Sequence, residues 1–112
     1  MSDGATGFCM VLTTAQNANT QKIIEAVLSK ELAACVQVMP IRSHYVWQGV
    51  LREEAEDLLL IKAKAADWTE LEAAIRHAHA YEVPEILRFD IDGGSKSYLD
   101  WIASVTRGAS QA

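Results

Sequence analysis

Hydrophobic and polar positions follow one another along the chain in blocks that predict a small set of strands and helices. A continuous apolar run at 8–12, ending in Thr13 and Thr14, is typical of a strand buried on both faces. From Thr20 onward, apolar residues recur at the three- and four-residue spacing of an amphipathic helix: Ile23, Ile24, Val27, Leu28 and Leu32.

The next apolar segment is predicted to be a strand with an interruption. It extends over 34–47 and is interrupted at Pro40, which cannot donate a hydrogen bond to a neighbouring strand and therefore marks an edge, a bend or a bulge. The period-two alternation of a strand places three of its larger side chains on one face: Ile41, Tyr45 and Trp47.

A turn at 48–49 leads to a second extended segment, 51–64, whose two halves differ in character. Residues 52–57 are strongly polar, whereas 58–61 are all Leu or Ile. We interpret the two segments as a long hairpin whose tip projects beyond the core, with the apolar half forming central sheet. A run of charge is usually a solvated face, and the acidic residues of the tip are therefore expected to lie in water.

The second half of the chain predicts a helix, a strand and a last helix. Asp67 followed by Glu70 indicates a helix N-cap, and apolar side chains continue from it at helical spacing: Trp68, Leu71, Ile75 and Ala78. This helix must end before Pro84. Residues 85–91 alternate as a strand, and a glycine-containing turn precedes a final apolar set: Tyr98, Leu99, Trp101, Ile102 and Val105. Residues from Arg107 onward are expected to be a frayed tail.

The predicted order is β-α-β-β-α-β with a short C-terminal helix added. Two helices on one face of an antiparallel sheet give the ferredoxin-like, split-βαβ arrangement of the α+β class. With 112 residues, the chain is expected to be a single domain over 1–112, ordered at about 8–106. Half of its residues are hydrophobic, which excludes a disordered chain.

Charge and cysteine usage narrow the range of partners. The net charge of −5 argues against nucleic acid, because phosphate contacts need a basic face. The N-terminal residues lack a basic segment and the apolar run after them is too short for a signal peptide or a membrane span, so no membrane partner is expected. Cys9 and Cys35 lack redox or zinc-motif spacing. These features predict a cytoplasmic protein with reduced thiols.

Five segments, in matching order and spacing, resemble the CutA family of divalent-cation tolerance proteins. They are ELAACV at 31–36, SHYVWQG at 43–49, LLIK at 59–62, HAYEVPEI at 79–86 and YLDWI at 98–102. The resemblance implies a ferredoxin-like fold assembled as a PII-like homotrimer, with the long hairpins pairing between subunits. It also implies a link to divalent metals, copper especially, and no enzymatic activity.

The same resemblance supplies His79 and Glu85 as metal-ligand candidates. An imidazole and a carboxylate flanking a tight connection suit Cu(II) or another divalent cation, with a third ligand from solvent or a neighbouring subunit. No obligatory cofactor is expected. The alternative is that His77 or His79 stabilises a helix C-terminus and Glu85 binds backbone N–H groups at a subunit contact. Family members often carry Cys where this chain has Thr13, and without that thiolate a soft-metal site is weaker.

Lys62 and Tyr81 are candidates for a ligand cleft between subunits, since a lysine in a central strand is unusual unless it is paired or faces a cleft. One hypothesis is a PII-like sensor in which Lys62 binds a small anion or nucleotide, helped by Tyr81 and Glu85. The other is an ion pair of Lys62 with Glu85 or Glu82 that fixes the trimer.

Aromatic residues near the ends of the domain are expected at the trimer interface, because Tyr and Trp combine a large apolar area with a polar tip: Tyr45, Trp47 and Trp101. A structural trimer that scaffolds other proteins without a ligand is a further hypothesis. P-loop, GxSxG and HExxH motifs are absent from the sequence, and an enzyme is therefore not expected.

Overall fold

A computed structural model describes residues 5–108 of the chain as an α+β fold. The helices and strands, in chain order, are β1 (Phe8–Ala15), α1 (Asn17–Ser29), β2 (Cys35–Trp47), β3 (Val50–Lys64), a 3₁₀ turn (Ala65–Asp67), α2 (Trp68–Ala78), β4 (Ile86–Asp90) and α3 (Lys96–Val105). None of these helices is long and apolar enough to span a membrane.

The four strands form one antiparallel sheet in the order β2-β3-β1-β4, which confirms the ferredoxin-like prediction. β1 pairs with β3 only as far as Asp57, whereas β2 and β3 stay paired from Ile41 opposite Glu56 to Trp47 opposite Val50. This two-stranded ribbon, residues 41–56, is called the arm. It extends the described chain to 48 Å in its longest dimension, against 26 and 25 Å in the other two.

One face of the sheet is covered by α1 and α2. The buried side chains on this face alternate along the two central strands and meet those of both helices: Cys9, Val11, Leu59, Ile61, Ala63, Ile23, Val27, Leu71 and Ile75. Asp57 belongs to this face too, where the Thr20 hydroxyl of α1 donates to its Oδ2 at 2.6 Å. Most of the apolar side chains that predicted the two helices therefore pack in the core; Leu28 is an exception, 39% exposed on the outside of α1.

The opposite face of the sheet, here called the open face, is apolar but has no helix layer over most of its area. Strand alternation and register assign a set of side chains to it: Met10, Leu12, Met39, Leu58, Leu60, Leu87 and Phe89. Leu87 and Phe89 are each 47% exposed and Met39 is 49% exposed. At one corner α3 contacts β3, with Tyr98 beside Cys35.

One prediction about a helix end is confirmed only in part, and the prediction of a frayed tail from Arg107 is wrong. Asp67 is the N-cap residue of α2, as predicted, but its side chain makes no capping hydrogen bond; its carboxylate instead accepts from the Arg107 guanidinium at 3.4 Å. Arg107 is not frayed, because its N–H donates to the Glu31 carbonyl at 2.8 Å and its guanidinium also donates to Glu70. The contacts of Arg107 account for both results, because they engage the Asp67 carboxylate and hold residue 107 in place. The rest of the expected tail, 109–112, lies outside the described residues.

Thr13 occupies the middle of the core rather than a surface. Its side chain is fully buried on the helix-covered face, opposite Leu59 and Ile86 of the neighbouring strands, and its Oγ1 has no hydrogen-bond partner among the described residues. A buried hydroxyl that lacks a partner retains its full desolvation cost, roughly 1–3 kcal/mol.

We predict that Thr13→Val stabilises the protein by about 1 kcal/mol, since valine keeps the shape and removes the unpaired hydroxyl. Thr20→Val is the matched control and is expected to cost about 1 kcal/mol, because it removes the bond to Asp57. Urea unfolding at one fixed protein concentration measures both. Destabilisation by both substitutions alike would contradict the assignment of Thr13 as unpaired.

Candidate functional site

A cavity of about 580 Å³ lies between the arm and the loop 79–85 that joins α2 to β4. Three aromatic side chains line it: Tyr45, Trp47 and Tyr81. Its charged lining consists of four carboxylates, one guanidinium and one imidazole: Glu54, Glu56, Glu82, Glu85, Arg52 and His44. The cavity is therefore acidic, with aromatic walls.

The side chain of Asn19 holds the first residues of the loop in place. Its side-chain Nδ2 donates to the carbonyl of Ala78, at the end of α2, and its Oδ1 accepts from the backbone N–H of Ala80, each at 3.0 Å. One amide on α1 thus satisfies a carbonyl at the end of α2 and an N–H at the start of the loop. The loop leaves the helix in a direction set by α1.

His79 is held by two backbone groups. One ring nitrogen, Nε2, lies 2.7 Å from the Thr14 carbonyl, and the other, Nδ1, lies 3.1 Å from the Tyr81 backbone nitrogen. A carbonyl only accepts and an amide N–H only donates, so the neutral ring carries its proton on Nε2. The ring also packs against that of Tyr81, with centroids 4.8 Å apart. Both nitrogens of the predicted metal ligand are therefore already engaged.

Tyr81 connects the loop to the arm. Its hydroxyl donates to Oε2 of Glu56, a carboxylate only 7% exposed. Burial, together with the neighbouring Glu56, raises the pKa of Tyr81 well above its usual value. The phenol thus remains a hydrogen-bond donor through the neutral pH range. Glu54, two residues before Glu56 on the same face of β3, likewise raises the pKa of Tyr45.

Glu85 is exposed and lines the cavity, whereas His79 contacts two residues of the lining, Thr14 and Tyr81. Within 5–108, no group of three or more His, Cys, Asp or Glu side chains is placed to hold a metal ion together. A cation bound by His79 must first displace one of its two hydrogen bonds. Thr13 points to the core side of β1 and not to this cavity.

Lys62 does not meet Tyr81 within one chain. Its ammonium donates to Oε1 of Gln37 at 2.6 Å, so its partner is an amide rather than Glu82 or Glu85. Lys62 lies six residues along β3 from Glu56, the partner of Tyr81, which is roughly 20 Å at strand spacing. Trp101 is also separate from the cavity; it is 41% exposed on α3, with its ring 5.6 Å from that of Tyr98.

Sequence reasoning missed the importance of Glu56, since the acidic run was expected to be solvated throughout. The signal was present in the period-two alternation of a strand, which places Glu54 and Glu56 on the face that also carries Tyr45 and Trp47. Asn19 had no comparable signal, because its two partners, one at the end of α2 and one at the start of the loop, are 59 and 61 residues away in sequence.

Tyr81 should make stability depend on pH in the alkaline range. Because the folded protein raises the pKa of Tyr81 above 10.0, the unfolded chain loses this proton first. The stabilising contribution is complete below pH 10.0 and is lost as pH rises beyond it. We predict that the free energy of unfolding falls less steeply above pH 10.0 in Tyr81→Phe than in wild type. Tyr45→Phe is the control and should change that slope less; equal slopes in wild type and Tyr81→Phe would contradict the assignment.

Comparison with known proteins assigns the chain to a family. The family described as CutA1 divalent ion tolerance protein matches residues 9–105. The chain is 35% identical over 98 residues to the divalent-cation tolerance protein CutA of Thermus thermophilus, covering 87% of this chain and 95% of that protein. It is 36% identical over 88 residues to the chloroplastic protein CutA of Arabidopsis thaliana, covering 78% of this chain. The chain spans about half the length of the plant relatives that it matches.

Solved structures of CutA1 proteins share this fold. The crystal structure of CutA1 from Pyrococcus horikoshii superposes with a TM-score of 0.86 at 30% identity, over 89% of this chain and 99% of that one. CutA1 from Oryza sativa superposes with a TM-score of 0.86 at 33% identity, over 91% and 95%. The chain therefore belongs to the CutA1 divalent ion tolerance protein family.

Proposed function

We propose that this protein acts in divalent-cation tolerance as a homotrimer that binds Cu(II) or another divalent cation weakly, through His79 and Glu85. The observation that carries the proposal is the acidic cavity beside these two residues, in a member of a family named for divalent-ion tolerance. The proposed role is binding rather than catalysis, and no obligatory cofactor is part of it.

The hydrogen bonds of His79 support weak rather than tight binding. A metal ion needs a lone pair of the ring, and each nitrogen already serves a backbone group. The ion must offset the loss of one such bond, roughly 0.5–1.5 kcal/mol, before it gains affinity. Four carboxylates in the cavity lining favour the approach of a cation to Glu85. A third ligand would come from solvent or a neighbouring subunit.

The open face supports assembly into a trimer. Leu87, Phe89 and Met39 stay about half exposed on the open face. Complete burial of a side chain of this size contributes roughly 1.5–3 kcal/mol, so covering the remaining half contributes about half of that for each. Among residues 5–108 no strand pairs with the outer edge of β2 or of β4, and a neighbouring copy can satisfy these edges. Tyr45 and Trp47 on the arm and Trp101 on α3 are proposed interface residues.

The rival hypothesis of an anion sensor has less support. The cavity carries four carboxylates against one guanidinium, a balance that repels anions. Lys62 would have to reach Tyr81 and Glu85 from another subunit.

We place the protein in the cytoplasm, because Cys9 and Cys35 form no disulfide and reduced thiols are typical of that compartment.

Native mass spectrometry with Cu(II) titration tests the proposal. Wild type should appear as three chains that take up about one ion per chain, with metal uptake abolished in His79→Ala and Glu85→Gln. His77→Ala is the matched control, because this histidine is exposed on the outside of α2, away from the cavity. A wild type that binds no copper, or a His77→Ala variant that loses it equally, would contradict the metal site.

A further inference from the structure

The two nitrogens of His79 differ in what a metal ion must displace. Nε2 carries the proton and donates to the Thr14 carbonyl at 2.7 Å, whereas Nδ1 accepts from the backbone N–H of Tyr81 at 3.1 Å. A cation at Nε2 requires that proton to move to Nδ1, which breaks both hydrogen bonds. A cation at Nδ1 displaces only the Tyr81 N–H. The N–H of Tyr81 is therefore the group with which a divalent cation competes at the lower cost.

The backbone around His79 is held in this position by α1. Oδ1 of Asn19 accepts from the N–H of Ala80, and its Nδ2 donates to the carbonyl of Ala78, each at 3.0 Å. These two residues flank His79, and Ala80 directly precedes Tyr81. Both bonds of Asn19 go to backbone groups rather than to the imidazole. Asn19 thus fixes the segment that brings the next N–H against Nδ1.

The proposed ligands themselves are placed by other contacts. The His79 ring is oriented by the Thr14 carbonyl of β1, and Glu85 directly precedes β4. In the part of the chain that the structure describes, Glu85 lines the cavity and His79 does not. A small shift of residues 80–81 therefore frees Nδ1 without moving the two elements that place the ligands.

We infer that Asn19 regulates cation binding at the proposed site, because it holds the Tyr81 N–H on Nδ1 of His79, the nitrogen that a divalent cation takes when this hydrogen bond opens. The inference rests on the proposed function. Linkage makes the effect reciprocal: a bound cation favours the open loop, and a loosened loop raises the affinity for the cation. Asn19 is a positioning residue, which acts through the backbone and does not touch the ion.

Amide hydrogen exchange of the whole protein, read at single residues by mass spectrometry, tests the first half of this linkage. Saturating Cu(II) should speed exchange at the Tyr81 N–H at least about threefold, because the ion takes its acceptor. A ligand that leaves the native hydrogen bonds intact slows exchange instead. Acid quenching releases the metal before the readout. Without metal, Asn19→Ala should speed exchange at Tyr81 by a similar factor.

Calorimetric titration with Cu(II) tests the other half. Asn19→Ala should bind Cu(II) at least about threefold more tightly than wild type, because losing the hydrogen bonds of Asn19 favours the open loop. Only binding that His79→Ala abolishes is counted. Gln21→Ala is the matched control: it removes an amide from the same helix, but the partner of Gln21 is Glu25, at 3.3 Å on the exposed side of α1. This variant should bind within about twofold of wild type.

The outcomes separate this inference from the proposed function. If wild type binds Cu(II) without faster exchange at Tyr81, or if Asn19→Ala binds no more tightly than Gln21→Ala, the inference is wrong and the metal site stands. Copper binding by Asn19→Ala but not by wild type would contradict the proposed function and support the inference. Binding by neither protein would overturn both. The exchange measurement on wild type keeps the test decisive if Asn19→Ala fails to fold, which circular dichroism detects.

Discussion

One constraint governs the fold: the four-stranded sheet has two apolar faces, and the helices of residues 5–108 cover only one of them in full. α1 and α2 bury the side that contains Val11, Leu59 and Ile61, whereas Leu87 and Phe89 on the other side remain about half exposed. α3 covers one corner only. Exposed contiguous apolar surface of this kind marks an interaction site. The open face, the outer edges of β2 and β4 and the arm are therefore the surfaces on which the proposed homotrimer rests, since identical copies can cover them with closed symmetry.

The cavity depends on a second constraint, the attachment of the loop 79–85 to the arm. Asn19 and the two hydrogen bonds of His79 fix the start of the loop, and Tyr81 bonds to Glu56 across the cavity. Since the ring of His79 serves the backbone on both sides, its first role is structural. Any metal that it binds competes with that role, and this competition is the physical reason for a labile site.

Much of the fold followed from the sequence, because the patterns there reflect the core directly. The alternation in β1 and the spacing in α1 and α2 are set by burial, and the polar half of the hairpin indicated the projecting arm. Less of the candidate site could be predicted from the sequence. Tyr45, Trp47, Tyr81 and Glu85 do surround one cavity, yet Lys62 lies elsewhere and Glu56 was taken for a solvated charge. Contacts such as that of Asn19 with Ala78 join distant segments through single polar atoms. Local hydrophobic and polar patterns in the sequence do not predict such contacts.

The dependence of assembly on the open face is the central claim, and sedimentation equilibrium of two charge-introducing variants tests it most directly. Phe89→Glu places a charge on the open face, and Leu28→Glu places the same charge on the outer surface of α1, where Leu28 is 39% exposed. Wild type and Leu28→Glu should sediment as trimers, and Phe89→Glu should dissociate to smaller species. A trimeric Phe89→Glu variant, or a monomeric wild type, would contradict the account.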